Sequence, residues 1–142
     1  MDTYKLSNED IFDLNLLDMQ ELSIFLFIIA DFLSYEAILD SKQLIYMRSK
    51  GYKGGFEPNI DAITTEAVSI YIIAKAIFTK VGLSRYYKLY NKSIKGEWKY
   101  SLEPNIDINN GNILGLIALI YLYNGSRSIY LRDVNVPIYG VI

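Results

Sequence analysis

Two pairs of carboxylates stand at matching places in the chain, Glu57 and Asp61 in FEPNID (56–61) and Glu103 and Asp107 in LEPNID (102–107). Acids repeated in this way can hold a divalent ion for phosphodiester hydrolysis. Cap chemistry also accounts for them, because an anion at the free amides of a helix start is favoured by about 1 kcal/mol. On that view the phrase is a structural joint, formed once by Glu57, Pro58, Asn59 and Asp61 and again by Glu103, Pro104, Asn105 and Asp107. Proline ends a strand because it cannot donate to the ladder, asparagine bends the chain, and aspartate caps the next helix. The joint needs no metal, and the expectation is that none is bound.

The chain has no Cys and no His. Disulfides, zinc sites of Cys or His type, thiol nucleophiles and serine triads are thereby excluded. The glycines of GYKGG (51–55) lack the spacing and the Lys-Ser/Thr ending of a phosphate loop and read as a turn. The expectation is a protein that is not an enzyme and has neither catalytic residues nor a cofactor.

A second chemistry lies in bases interleaved with aromatics. Arg48, Lys53, Arg85, Lys88, Lys92, Lys99, Arg127 and Arg132, with Trp98, mark three stretches that hold most of the bases. Such a surface can neutralise phosphates and stack nucleobases, or meet a protein partner. It can equally be a solvated sheet face with lysines guarding its edges. The net charge of −2 and pI near 5.1 are acidic for a nucleic-acid domain. That charge is uneven: residues 1–40 carry nine acids and one base, the remainder seven acids and thirteen bases. The N-terminal acids either cap and solvate the first helices or meet the basic part, within one chain or between copies.

The elements that would position these groups repeat. YMRSKGYKGGFEPNID (46–61) aligns with YNKSIKGEWKYSLEPNID (90–107), and SIYLRD (128–133) answers LIYMRS (44–49). The unit is about 43–46 residues long and suggests one supersecondary element stacked on itself. Its first half is apolar almost all round and predicts a buried helix, entered at Asp18 and Glu21, at Asp61 and at Asp107. Its second half alternates, as in Tyr86, Lys88, Tyr90 and Lys92, and predicts a β-hairpin with turns near Gly51, Gly96 and Asp133–Asn135. The expectation is an α+β fold of three tandem helix–hairpin (αββ) units. They fall at about 18–60, 61–106 and 107–142 in a single domain, after a short acidic segment 1–17.

The order αββαββα resembles the LAGLIDADG homing endonucleases, and ILGLIALIYLYNGS (113–126) is similar to that family's signature helix. The resemblance implies a saddle of hairpins on DNA. The acid that the family places near the helix end is missing at Tyr123-Asn124-Gly125.

The apolar runs Leu22–Ala30, Ala67–Ala74 and Ile113–Tyr123 are each about half the roughly 20 residues that span a bilayer. Asp31 and Lys75 interrupt two of them, and the first ten residues lack the basic region of a signal peptide. The expectation is therefore a soluble, cytoplasmic protein with no membrane contact. Its function is expected to be a non-enzymatic protein-interaction or assembly module, with a protein partner or a second copy as its ligand. A composition rich in Ile, Tyr, Asn and Lys suits an accessory protein of an AT-rich phage or mobile element. The alternative is nucleic-acid binding through the hairpins.

Overall fold

Ser7 starts the first helix. Its hydroxyl accepts from the Asp10 amide at 3.1 Å, and the Asp10 carboxylate accepts from the Ser7 amide at 3.0 Å. This reciprocal capping box satisfies two donors that the first turn would leave open. No Gly or Pro follows until Gly51, and helix α1 runs unbroken over Asn8–Ser49. It ends where Gly51 takes φ 77° and donates to the Arg48 carbonyl at 2.9 Å. The left-handed conformation is what glycine supplies without a steric penalty. The computed structural model describes residues 5–51 and 59–135. Within them α2 covers Ile60–Ile94 and α3 covers Glu103–Asn135. Gly96, at φ 73°, closes α2 in the way Gly51 closes α1.

The α+β expectation is overturned: among the described residues there is no strand, and the described parts of the three stretches assigned to hairpins are helical or loop. The reason is visible at Tyr86, Lys88, Tyr90 and Lys92. Alternation over seven residues is also two interleaved pairs four apart, and a helix brings such pairs together. Tyr86 and Tyr90 stack at 6.0 Å between ring centroids, and Lys88 and Lys92 both reach Glu9. A period of two and a period near four give the same pattern over so short a window. Gly51 and Gly96, expected as hairpin turns, are helix ends. The stretch expected to turn at Asp133–Asn135 continues α3 to Asn135. Without hairpins, the element order behind the homing-endonuclease resemblance is absent as well.

The repeated phrase does mark helix starts, but not in the expected manner. Asn59, rather than Asp61, caps α2, its side-chain oxygen accepting from the Ala62 amide at 3.1 Å. Asp61 sits in the first turn. In the second copy the helix begins earlier, at Glu103, with Pro104 where no amide is needed. There the Leu102 carbonyl accepts from Asn105 and Ile106, and Asp107 lies inside the helix. Asp18 and Glu21, expected at a helix start, are internal to α1. Lys53, Glu57 and Pro58 lie outside the described residues.

Helices α1 and α3 both pack antiparallel on α2, and not on each other. The seam between α1 and α2 is built from small residues every seven positions. Ser23, Ala30 and Ala37 face it from α1, below Leu16, and Ala67, Ala74 and Val81 face it from α2. Small side chains let two backbones approach closely, and the Ser23 hydroxyl donates to the Ala74 carbonyl at 2.7 Å. From α3 the buried residues are Asn109 and Asn112.

The outside is apolar. Phe25, Phe32, Ile73, Leu114, Tyr121 and Leu122 are among the exposed large side chains. In the most apolar window of each helix only 17, 22 and 11 % is buried within the chain, so most of the hydrophobic surface is turned outward. All three helices are long and apolar enough to cross a membrane.

Candidate functional site

Polar contacts between the helices occur at an end and in the middle of the apolar stretch. At the end, Lys88 lies 2.9 Å from Glu9 and 2.6 Å from Asp13, and Lys92 also pairs with Glu9. The N-terminal acids thus do both of the things their charge suggested: Asp10 caps, and Glu9 and Asp13 meet bases of α2. The hydrogen bond from Lys92, followed by that from Lys88, holds the Glu9 carboxyl down at about 2, against an ordinary 4.5. Ser7 lowers Asp10 through its hydroxyl and its amide. Partial burial pulls Lys88 down, but its bonds to Asp13 and Glu9 outweigh that and raise it.

A pH dependence follows. Glu9 is depressed in the folded chain, so its stabilisation is present above the unfolded value near 4.5 and is lost as pH falls toward 2. Amide hydrogen exchange in residues 8–14 is expected to accelerate, beyond its intrinsic pH trend, between those limits. Protection that stays constant across that window would show that the ion pairs do not hold this end of α1.

In the middle, residues of α2 touch both neighbours. The Tyr71 hydroxyl donates to the Asp31 carboxylate of α1, and its ring lies 6.0 Å from that of Phe27. One turn further along, the Lys75 ammonium donates to the Asn112 side-chain oxygen of α3 at 2.9 Å. Gly115 leaves room for the Lys75 stem, since a methyl group there would lie 2.8 Å from its Cε. Gly82 does the same for the amides: a Cβ would come within 2.5 Å of Asn109 Oδ1 and 3.2 Å of Asn112 Nδ2. Those two amide atoms are buried and make no hydrogen bond. Among the described residues no carboxylate lies within ion-pair distance of Lys75. Thr65 and Ser126 share a further hydroxyl contact at 2.7 Å.

The sites expected from sequence are distributed differently. Arg85, Lys88, Lys92, Trp98 and Lys99 belong to the end where α2 finishes and α3 begins. Arg48, Arg127 and Arg132 belong to the other, where α1 and α3 finish. Lys88 and Lys92 are engaged by acids of α1, and Trp98 packs edge-on against Tyr100 at 5.3 Å. Asp61 stands at the start of α2 and Glu103 and Asp107 at the start of α3, at opposite ends of the molecule. The described residues hold no group of three metal-ligating side chains.

Asp31, Lys75, Asn109 and Asn112 were not singled out from sequence as a site. Their signal was present, since Asp31 and Lys75 are the charges that break the apolar runs. Comparison with protein-family models, with curated proteins and with solved structures gives no match.

Proposed function

We propose that the chain is a membrane-spanning three-helix protein that works by association with other helices in the bilayer, a non-enzymatic assembly module. The observation that carries this is the inverted distribution of side chains. The interior seams hold mostly Ser, Ala, Thr and Asn, with Leu16 and Val81, while Phe, Ile and Leu face outward from α1, Ile and Leu from α3, and Ile73 and Ile94 from α2. In water such a surface would need covering on nearly every side, which no single interface supplies. In a bilayer it faces lipid, and small and polar residues between helices are what hold them together.

Lengths agree. The 19 residues Ile108–Ser126 carry no charge and rise about 28 Å as a helix, close to the roughly 30 Å hydrocarbon core. The contact pairs Ser23–Ala74 and Lys75–Asn112 bring the apolar stretches of α1 and α2 to the same level. Beyond it come Tyr86, Tyr87, Tyr90, Trp98 and Tyr100, residue types that favour the membrane–water boundary. The ion pairs of Glu9 and Asp13 lie past that boundary.

The proposal departs from the expectation of a cytoplasmic protein without membrane contact. That expectation measured apolar runs from charge to charge, and inside this fold Asp31 and Lys75 have polar partners. It keeps the expectation of a protein partner. The nucleic-acid alternative gains nothing from bases divided between two ends. Alkaline carbonate extraction of cells expressing the chain tests the reading: the protein should stay in the membrane pellet and leave it only with detergent. Release by carbonate alone would reject it.

A further inference from the structure

The α1–α2 pair has two flanks, and α3 occupies one of them. The residues that follow seam positions, Asp31 on α1 and Lys75 and Gly82 on α2, lie on the flank where Asn112 and Asn109 of α3 approach. The residues that precede them, Leu22 on α1 and Glu66, Ile73 and Lys80 on α2, lie on the other. Antiparallel helices are related by a two-fold, so one step back from the seam turns both the same way. Asp18, four residues before Leu22, shares its side of α1. On this flank Asp18, Leu22, Glu66, Ile73 and Lys80 are all exposed.

The flank bears an acid and a base at one depth. Ser23 opposite Ala74 and Glu9 opposite Lys88 fix the register of α1 on α2. Asp18 is five residues before Ser23 and therefore level with the fifth residue after Ala74, one place, or about 1.5 Å, from Lys80. Both stand inside the apolar layer, since Gly82 meets Asn109 within the uncharged stretch of α3 and Lys80 is about 9 Å inward of Tyr86. Neither makes an ion pair or hydrogen bond among the described residues, and they do not reach each other within the chain. A charge at this depth is costly without an ionic partner. Glu66 is different, because its neighbour Thr65 meets Ser126 at the end of the uncharged stretch, where water begins.

We propose that a second copy of this chain pairs these two charges. A two-fold axis along the membrane normal keeps every residue at its depth and turns the free flank of one copy onto that of the other. Helix α1 of each copy then lies on α2 of its partner, with α3 outside. Leu22 packs near Ile73, and Asp18 of each copy meets Lys80 of the other, so the contact is isologous and is made twice. Opposite charges at equal depth are the complement that such an axis requires. This inference rests on the membrane-spanning reading and deepens it by naming the partner.

Charge reversal tests it in bilayers of zwitterionic phosphatidylcholine, with association read by energy transfer between labelled copies. Asp18→Lys alone presents only cations at this level of the flank, and Lys80→Asp alone only anions, so each variant by itself should lose at least tenfold in self-association. Mixed one to one, the two should associate as well as the native chain, because every cation then faces an anion. The double variant Asp18→Lys/Lys80→Asp should also recover. Single variants that self-associate normally would overturn the proposal. A double variant that recovers while the mixture does not would overturn it too, by assigning the pair to one chain. Oxidation of a mixture of Leu22→Cys and Ile73→Cys chains, whose charges are native, should cross-link the two, and absence of that product would also reject the dimer. Carbonate extraction keeps the outcomes apart: chains that remain in the membrane without these results reject the dimer alone, and chains released by carbonate reject the membrane reading with it.

Discussion

Leu114→Lys is expected to cost about 3 kcal/mol in membrane insertion of α3, a shift of roughly two decades in the inserted fraction. Leu114 is 65 % exposed and stands near the middle of the 19 uncharged residues of its helix. At an exposed position in water the same exchange would fall within about 0.5 kcal/mol, since lysine is a good helix former and nothing packs on the site. The two environments thus predict effects that differ severalfold for one substitution. Helix α3 suits the test because its apolar window is the least hydrophobic of the three and the least buried, so it has the smallest margin. A reporter of translocation placed after residue 142 reads the result. A Leu114→Lys chain that inserts like the native one would argue for a surface facing water or another protein.

Ala74→Leu is the second large effect. Ala74 is 0 % exposed, and its carbonyl accepts the hydroxyl of Ser23, itself 0 % exposed on the facing helix. With both residues fully buried at the seam, a leucine at 74 has no free space to enter, so the helices must part. Overpacking of this kind costs about 1–3 kcal/mol, and a rigid seam places it toward the upper end. Separation would also leave the Ser23 hydroxyl and the neighbouring Ala30 and Ala67 without their contacts. The midpoint of thermal unfolding in detergent should fall by several degrees. Ile73→Leu, one residue away and 54 % exposed, should leave it unchanged. Equal behaviour of the two variants would mean that the seven-residue seam is not what holds α1 to α2.

The sequence gives away the helical halves of the repeat more readily than the rest. The apolar runs at Leu22–Ala30, Ala67–Ala74 and Ile113–Tyr123 do lie in three separate helices. What misleads is the connecting half, where Tyr86-Tyr87-Lys88-Leu89-Tyr90 satisfies a strand pattern and a helix pattern together. Length arbitrates between them, and a helix of 42 residues without Gly or Pro was readable from 8 to 49. The capping phrase was legible as a boundary, but composition does not decide which of its residues caps. Asn59 does so in one copy, while in the other the Leu102 carbonyl receives the first bonds of the helix.

The candidate site was hidden for a different reason. Lys75 and Asp31 look like interruptions when hydropathy is summed along the chain. Their meaning depends on Asn112 and Tyr71, which are 37 and 40 residues away in sequence. Asn109 and Asn112, in a run of asparagines at a helix start, look like surface residues until Gly82 is placed against them. Long-range pairing of this sort leaves no local periodicity to read.

The chain has no native cysteine, so a single introduced thiol reports one position only. The measurement that tests the membrane account most directly is labelling of Lys50→Cys, Lys95→Cys and Ile117→Cys variants in sealed vesicles with a membrane-impermeant maleimide. Three crossings put residues 50 and 95 on opposite sides and residue 117 in the hydrocarbon. The account predicts that one of the first two labels from outside, that the other labels only after the vesicles are opened, and that Ile117→Cys stays unlabelled throughout. Labelling of residues 50 and 95 from the same side, or ready labelling at residue 117, would contradict it.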